Sequence, residues 1–184
     1  LGYLLPQGRK QILLQKEDYI LISFGWAIFD YDVYIEVVQK ISSSTDIHIK
    51  CIVPFFKDEK RMKEISKIFS TVNIEFIPFR EDFYILHQHA KACVMWGWYG
   101  SFMDLLYHPI PALIVLNHNK EVAINETEQY QRYAVFQKYL PILLYEKDMN
   151  SEQLIDFLLN NDTSIETIKK INTKGAENLC KLFK

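Results

Sequence analysis

Short, nearly continuous apolar runs alternate along the chain with longer segments in which apolar positions recur every three or four residues. The runs Tyr19-Ile-Leu-Ile-Ser-Phe24, His48-Ile-Lys-Cys-Ile-Val53, Asn73-Ile-Glu-Phe-Ile77, Ala92-Cys-Val-Met95, Ala112-Leu-Ile-Val-Leu116 and Ile142-Leu-Leu-Tyr145 read as strands. Most lack polar alternation, which is the pattern of a parallel sheet covered on both faces. Amphipathic spacing predicts helices at about 30–42, 58–70, 83–91, 101–107, 126–139 and 151–160. A parallel return needs a crossover, and a helix is the usual one. The β-α-β-α order therefore predicts an α/β fold, a Rossmann-like parallel sheet with helices on both faces.

Breakers mark the joints. Pro54 and Pro78 follow the second and third runs, and His108-Pro-Ile-Pro111 separates a helix from a strand. Asp148-Met-Asn-Ser151 reads as a cap for the helix that follows. The segment 164–184 repeats apolar positions with helical spacing beside a lysine-rich face. Residues 1–18 differ: Gly2, Pro6 and Gly8 punctuate a stretch without a period, which reads as a linker leading into a domain over 19–184.

Composition narrows the classes. The 184 residues are 49% hydrophobic and 24% charged, enough for one self-folding domain and incompatible with wholesale disorder. The formal net charge of −2 gives no global footprint for nucleic acid. No apolar run exceeds about six residues, against the roughly 20 of a membrane-spanning helix. Cys51, Cys93 and Cys180 are odd in number and widely spaced, which argues for a reducing compartment and against a disulfide framework or zinc ribbon. Cys51 and Cys93 lie in apolar runs and are expected to be buried. His87 and His89 are two apart in an expected helix, where their side chains diverge, so no metal is expected.

Ligands in open α/β sheets bind at the carboxyl ends of strands. Ser23-Phe-Gly-Trp26 carries a single glycine, so neither the dinucleotide fingerprint nor a P-loop is present. Gly25 is either a plain turn residue or a point of close backbone approach to a ligand. Met95-Trp-Gly-Trp-Tyr-Gly-Ser101-Phe-Met-Asp104 places Gly97, Gly100 and Ser101 between a strand and a helix. This is a candidate cradle for phosphate oxygens. Ser101-x-x-Asp104 is equally a capping box, and Trp96, Trp98 and Tyr99 could be core or a partner surface. Asn125-Glu-Thr-Glu128-Gln129-Tyr-Gln131-Arg132 is dense in groups able to bond sugar hydroxyls, or is a solvated helix start. In Pro78-Phe79-Arg80, Phe79 could support a base and Arg80 pair with phosphate, or the segment is an ordinary loop.

The ordered combination of the Phe-Ile-Pro-Phe loop, Gly97-to-Asp104, Pro109-Ile-Pro111 before an apolar strand, and Glu128-Gln129 resembles the C-terminal half of GT-B glycosyltransferases. The nearest resemblance is to the UDP-N-acetylglucosamine transferases of lipid II synthesis and their relatives. The resemblance implies that Gly100 and Ser101 face the diphosphate and that Asp104 stands where the family Glu binds ribose. It places Glu128 and Gln129 on the donor sugar, Phe79 at the uracil, and Gly25 facing the interdomain cleft. Asp104 is one methylene shorter than that Glu. The implied substrate is a nucleotide sugar, UDP-linked, with no cofactor and no metal. The implied partner is an N-terminal acceptor domain, in the same or another chain, that carries the general base. Peripheral membrane association would come through that half, and a cytoplasmic location is expected. A chain opening at Leu1 with a linker is then expected to be one half of a catalytic unit, inactive alone. The alternatives are a non-enzymatic Rossmann-like interaction module, and an epimerase or hydrolase of the same fold.

Overall fold

A computed structural model describes residues 17–23, 31–53, 67, 73–78, 82–116 and 123–161, with backbone alone at 31, 53 and 123–127. Six strands follow in chain order: β1 (Tyr19–Ser23), β2 (His48–Val53), β3 (Ile74–Pro78), β4 (Ala92–Trp96), β5 (Ala112–Val115) and β6 (Ile142–Leu144). Five helices are described whole beside them: α1 (Tyr31–Ser42), α2 (Phe83–His89), α3 (Tyr99–Tyr107), α4 (Ala123–Phe136) and α5 (Ser151–Asn160). Every strand pairing is parallel, in the order β3-β2-β1-β4-β5-β6. The expected Rossmann-like sheet is present.

The continuous apolar runs have the burial they require. All residues of β1, β4 and β5 are buried. Because successive side chains point to opposite faces, each strand feeds two cores. Ile20, Ile22, Val94, Trp96 and Leu113 join Tyr34, Val37, Val38 and Ile41 of α1 and Leu154 and Leu158 of α5 on one face. Those four α1 positions are the i, i+3, i+4, i+7 stripe of an amphipathic helix. Leu21, Cys93, Met95, Ala112 and Ile114 join Phe102, Met103, Leu105 and Leu106 of α3 and Phe136 of α4 on the other. Phe102 and Phe136 stack with ring centroids 4.9 Å apart, locking α3 to α4. A polar brace holds α1 to the segment after β6: the Tyr145 hydroxyl donates to Glu36 at 2.7 Å, and Lys40 Nζ donates to the Lys147 and Met149 carbonyls. Partial burial raises the Glu36 pKa, but the bonds from Tyr145 and Lys40 outweigh it and hold the carboxyl below its usual value.

Three boundaries differ from the expected ones for identifiable reasons. Pro78 is the last residue of β3, not the residue after it. It is tolerated because β3 is an edge strand, where a missing N–H interrupts no ladder. Helix α4 stops at Phe136, and residues 137–139 turn instead, with the Leu140 N–H donating to the Phe136 carbonyl. Pro141 excludes helical backbone from the residue before it. Helix α3 starts at Tyr99, two residues before Ser101. Apart from residue 67, the helix expected at 58–70 lies outside the described residues, as do 164–184 and most of the linker segment.

Candidate functional site

In a sheet of order 3-2-1-4-5-6 the chain's winding reverses between β1 and β4, and the crevice at their carboxyl ends is the ligand position such sheets share. Ser23 closes β1 beside Met95. Beyond Trp96 the chain enters α3 through Gly97 and Trp98. The glycine-containing turn picked out in the sequence therefore lies at the reversal.

The turn is built by a close approach. The Gly97 N–H donates to the Val115 carbonyl at 2.9 Å, prolonging the β4–β5 pairing by one bond. A Cβ at Gly97 would stand 2.7 Å from Leu116 Cδ2, 3.4 Å from Ile114 Cγ2 and 3.6 Å from Gln129 Cβ. Glycine lets the turn settle onto β5 and α4. Gly100 is the opposite case: it is exposed, and a Cβ there would meet nothing within 4 Å.

The N-cap of α3 is Trp98, in extended backbone, and no side chain caps the helix. Ser101 thus sits inside the first turn, so the capping-box reading of Ser101-x-x-Asp104 does not hold. Its hydroxyl is three residues too late, since a cap residue precedes the first helical one and that place is held by Trp98. No acidic residue lies in that turn. The N–H groups of Tyr99, Gly100 and Ser101 come before the first helical bond, which the Phe102 N–H makes to the Trp98 carbonyl at 3.3 Å. The positive end of a helix dipole emerges there.

Beyond Ser101, helix α3 sinks into the protein, with Phe102 through Leu106 all buried. Asp104 is buried among them, and its carbonyl accepts the His108 N–H at 2.8 Å. Its carboxylate faces Cys93: burial raises that thiol's pKa and the nearby charge raises it further. Burial likewise pushes the Cys51 thiol up to about 12. Both cysteines are buried and free, so neither is a nucleophile at neutral pH. Trp96 is core, Trp98 is half-buried against the same core, and Tyr99 stands 40% exposed at the helix entrance.

Across the turn, α4 presents Glu128, exposed, and Gln129, buried against Gly97. Sequence reasoning treated Arg132 only as part of a polar cluster, yet it joins these pieces. Its Nη1 donates to the Gly97 carbonyl at 3.2 Å, its Nη2 pairs with Glu128, and its guanidinium lies 5.7 Å from the Tyr99 ring centroid. The i, i+4 spacing of Glu128 and Arg132 was a readable signal for the pair. The bond to Gly97 had none. Of the remaining candidates, Gly25, Phe79 and Arg80 lie outside the described residues. His87 and His89 diverge on α2: His87 packs edge-on against His108, and His89 faces Glu17. Among the described residues no three His, Cys, Asp or Glu side chains are placed to share a metal ion, and no helix is long and apolar enough to cross a membrane.

No family model matches the sequence, and no curated protein matches it significantly. Solved structures do match its fold. MurG of Acinetobacter baumannii superposes with a TM-score of 0.64 at 12% identity, over 97% of this chain and 55% of that one. The glycosyltransferase of kitacinnamycin gives 0.60 at 15% identity, over 99% and 47%. The glycosyltransferase VinC, solved in complex with dTDP, gives 0.57 at 15% identity, over 98% and 45%. The fold is that of one half of a GT-B glycosyltransferase. The chain spans about half the length of the structures it matches. Within this GT-B half, the turn at Gly97 and the start of α3 occupy the reversal point of the sheet.

Proposed function

We propose that this chain is the donor-binding half of a glycosyltransferase that takes a sugar from a nucleotide diphosphate carrier. The observation that carries the reading is the start of α3. At the sheet's reversal point, a helix N-terminus without side-chain cap or acidic residue opens beside an exposed glycine. Gly100 and Ser101 would offer N–H groups to the diphosphate. Phosphate is favoured there by both the oriented donors and the helix dipole. On the resemblance alone Asp104, buried with its carboxylate toward Cys93, is assigned to the ribose, and Glu128 and Gln129 to the sugar. Gly25 and Phe79 are assigned on the resemblance to the cleft and the base, and Arg80 to a phosphate on its guanidinium's donor fork.

In this reading catalysis comes from holding the donor in place and from stabilising charge on the departing diphosphate. The chain's own donors supply both, with neither cofactor nor metal. The general base and the acceptor belong to the other half of the enzyme, in the same or a separate chain, working in the cytoplasm. The base is assigned as uracil on the resemblance, and the VinC structure with dTDP makes thymine the alternative to test beside it.

Calorimetric titration with UDP, dTDP, UDP-glucose and UDP-N-acetylglucosamine tests the proposal. Saturable heat with a uridine or thymidine diphosphate, and no sugar transfer by the chain alone, is the expected result. Absence of heat and of thermal shift with every nucleotide would sink it and leave the interaction-module reading.

A further inference from the structure

A surface i, i+4 ion pair ordinarily contributes little and joins nothing beyond its own helix. The Glu128–Arg132 pair is different because the guanidinium has a second attachment. Arg132 retains only 14% of its side-chain exposure, while Glu128 retains 66%. The half-buried partner is anchored by its Nη1 bond to the Gly97 carbonyl, 35 residues away, and by the face of Tyr99. The two Nη atoms of an arginine can each hold an acceptor at a fixed separation, which the single Nζ of a lysine cannot. One side chain therefore ties the carboxylate on α4 to both the turn before α3 and its first residue.

We propose that Arg132 is a positioning residue that determines sugar specificity. By holding the Glu128 carboxylate at a fixed offset from the Gly97 turn, it sets which hydroxyls of a bound hexose that carboxylate can accept. The inference rests on the donor-binding reading above, and it adds the device that fixes the sugar's recognition relative to the diphosphate. A carboxylate accepts only, so the ligand it selects carries hydroxyl donors at the right positions. A free Glu128 on an exposed helix face would accept from many sugar epimers. A clamped one accepts from few.

The test compares UDP, UDP-glucose, UDP-galactose and UDP-N-acetylglucosamine on the wild-type chain and on Arg132→Met and Arg132→Lys, by calorimetry. The wild type is expected to separate the best and worst sugar nucleotides by about tenfold or more, the scale at which one well-placed hydroxyl bond discriminates. Arg132→Met should collapse that ratio towards one while changing the affinity for UDP by less than about threefold. Arg132→Lys keeps the charge but not the two-pronged reach, and should resemble Arg132→Met. Equal loss for UDP and every sugar would mean that Arg132 only supports the fold. Full selectivity in Arg132→Lys would mean that charge alone suffices, and wild-type binding without sugar discrimination would mean that there is no selectivity to set. Each of these overturns the inference and leaves the donor-binding reading standing. A wild type that binds no nucleotide removes both.

Discussion

Helices α3 and α5 both take up the chain beyond a strand's carboxyl end, yet their first turns are finished in opposite ways. At α5 the Asn150 side chain accepts the Gln153 N–H at 2.8 Å, Gln153 returns a bond to the Asn150 N–H, and Glu152 lies in the first turn. At α3 there is no side-chain cap and no acid. The α5 start follows β6 at the sheet edge, whereas the α3 start follows β4 at the reversal point. A helix start at the edge completes its own hydrogen bonding and gains stability. The one at the reversal point has neither device, and this contrast is what the proposed diphosphate site rests on.

The largest effect should come from loosening α3 itself. Phe102 is fully buried and stacked on Phe136, so Phe102→Ala should cost about 3–5 kcal/mol, read from urea unfolding. A loss below about 1 kcal/mol would mean that α3 is not seated as described, and the contrast with α5 would dissolve.

Next comes the substitution that makes α3 resemble α5. Gly100→Asp has room for its side chain and adds the acid that α3 lacks. In the unliganded chain the helix dipole should favour it by about 0.3–1 kcal/mol, and leaving glycine helps as well. A diphosphate would be repelled by roughly 2 kcal/mol after allowing for solvent screening, about thirtyfold in Kd. Stability and affinity should move in opposite directions. Unchanged affinity would place the diphosphate elsewhere.

The contrast between the two helix starts was only partly legible in the sequence. The six apolar runs disclosed the strands, and in β1, β4 and β5 burial on both faces leaves no room for alternation. Asn150 was legible because the cap chemistry is local. At Ser101 the same local logic left two readings open. The pattern Ser-x-x-Asp is identical whether serine caps the helix or sits in its first turn, and only the extended backbone of Trp98 decides. Gly97 and Gly100 looked alike in sequence, but one is packed under Leu116 and the other open, which depends on what β5 and α4 bring near. The Arg132 bond to Gly97 crosses 35 residues. No periodicity carries such information, because it exists only after the sheet order is set.

Asn150→Ala should cost about 1 kcal/mol, the usual loss for a cap, with nucleotide affinity unchanged. Its counterpart at the other helix is the smallest effect and the sharpest. Ser101 lies in the first turn of α3 and caps nothing, so Ser101→Ala removes no cap bond and gains slightly in helix propensity. Stability should stay within about 0.5 kcal/mol of the wild type in urea unfolding. Were Ser101→Ala instead as costly as Asn150→Ala, the serine would be closing its own helix. Both starts would then be finished from within, and the donors assigned to a diphosphate would already be engaged.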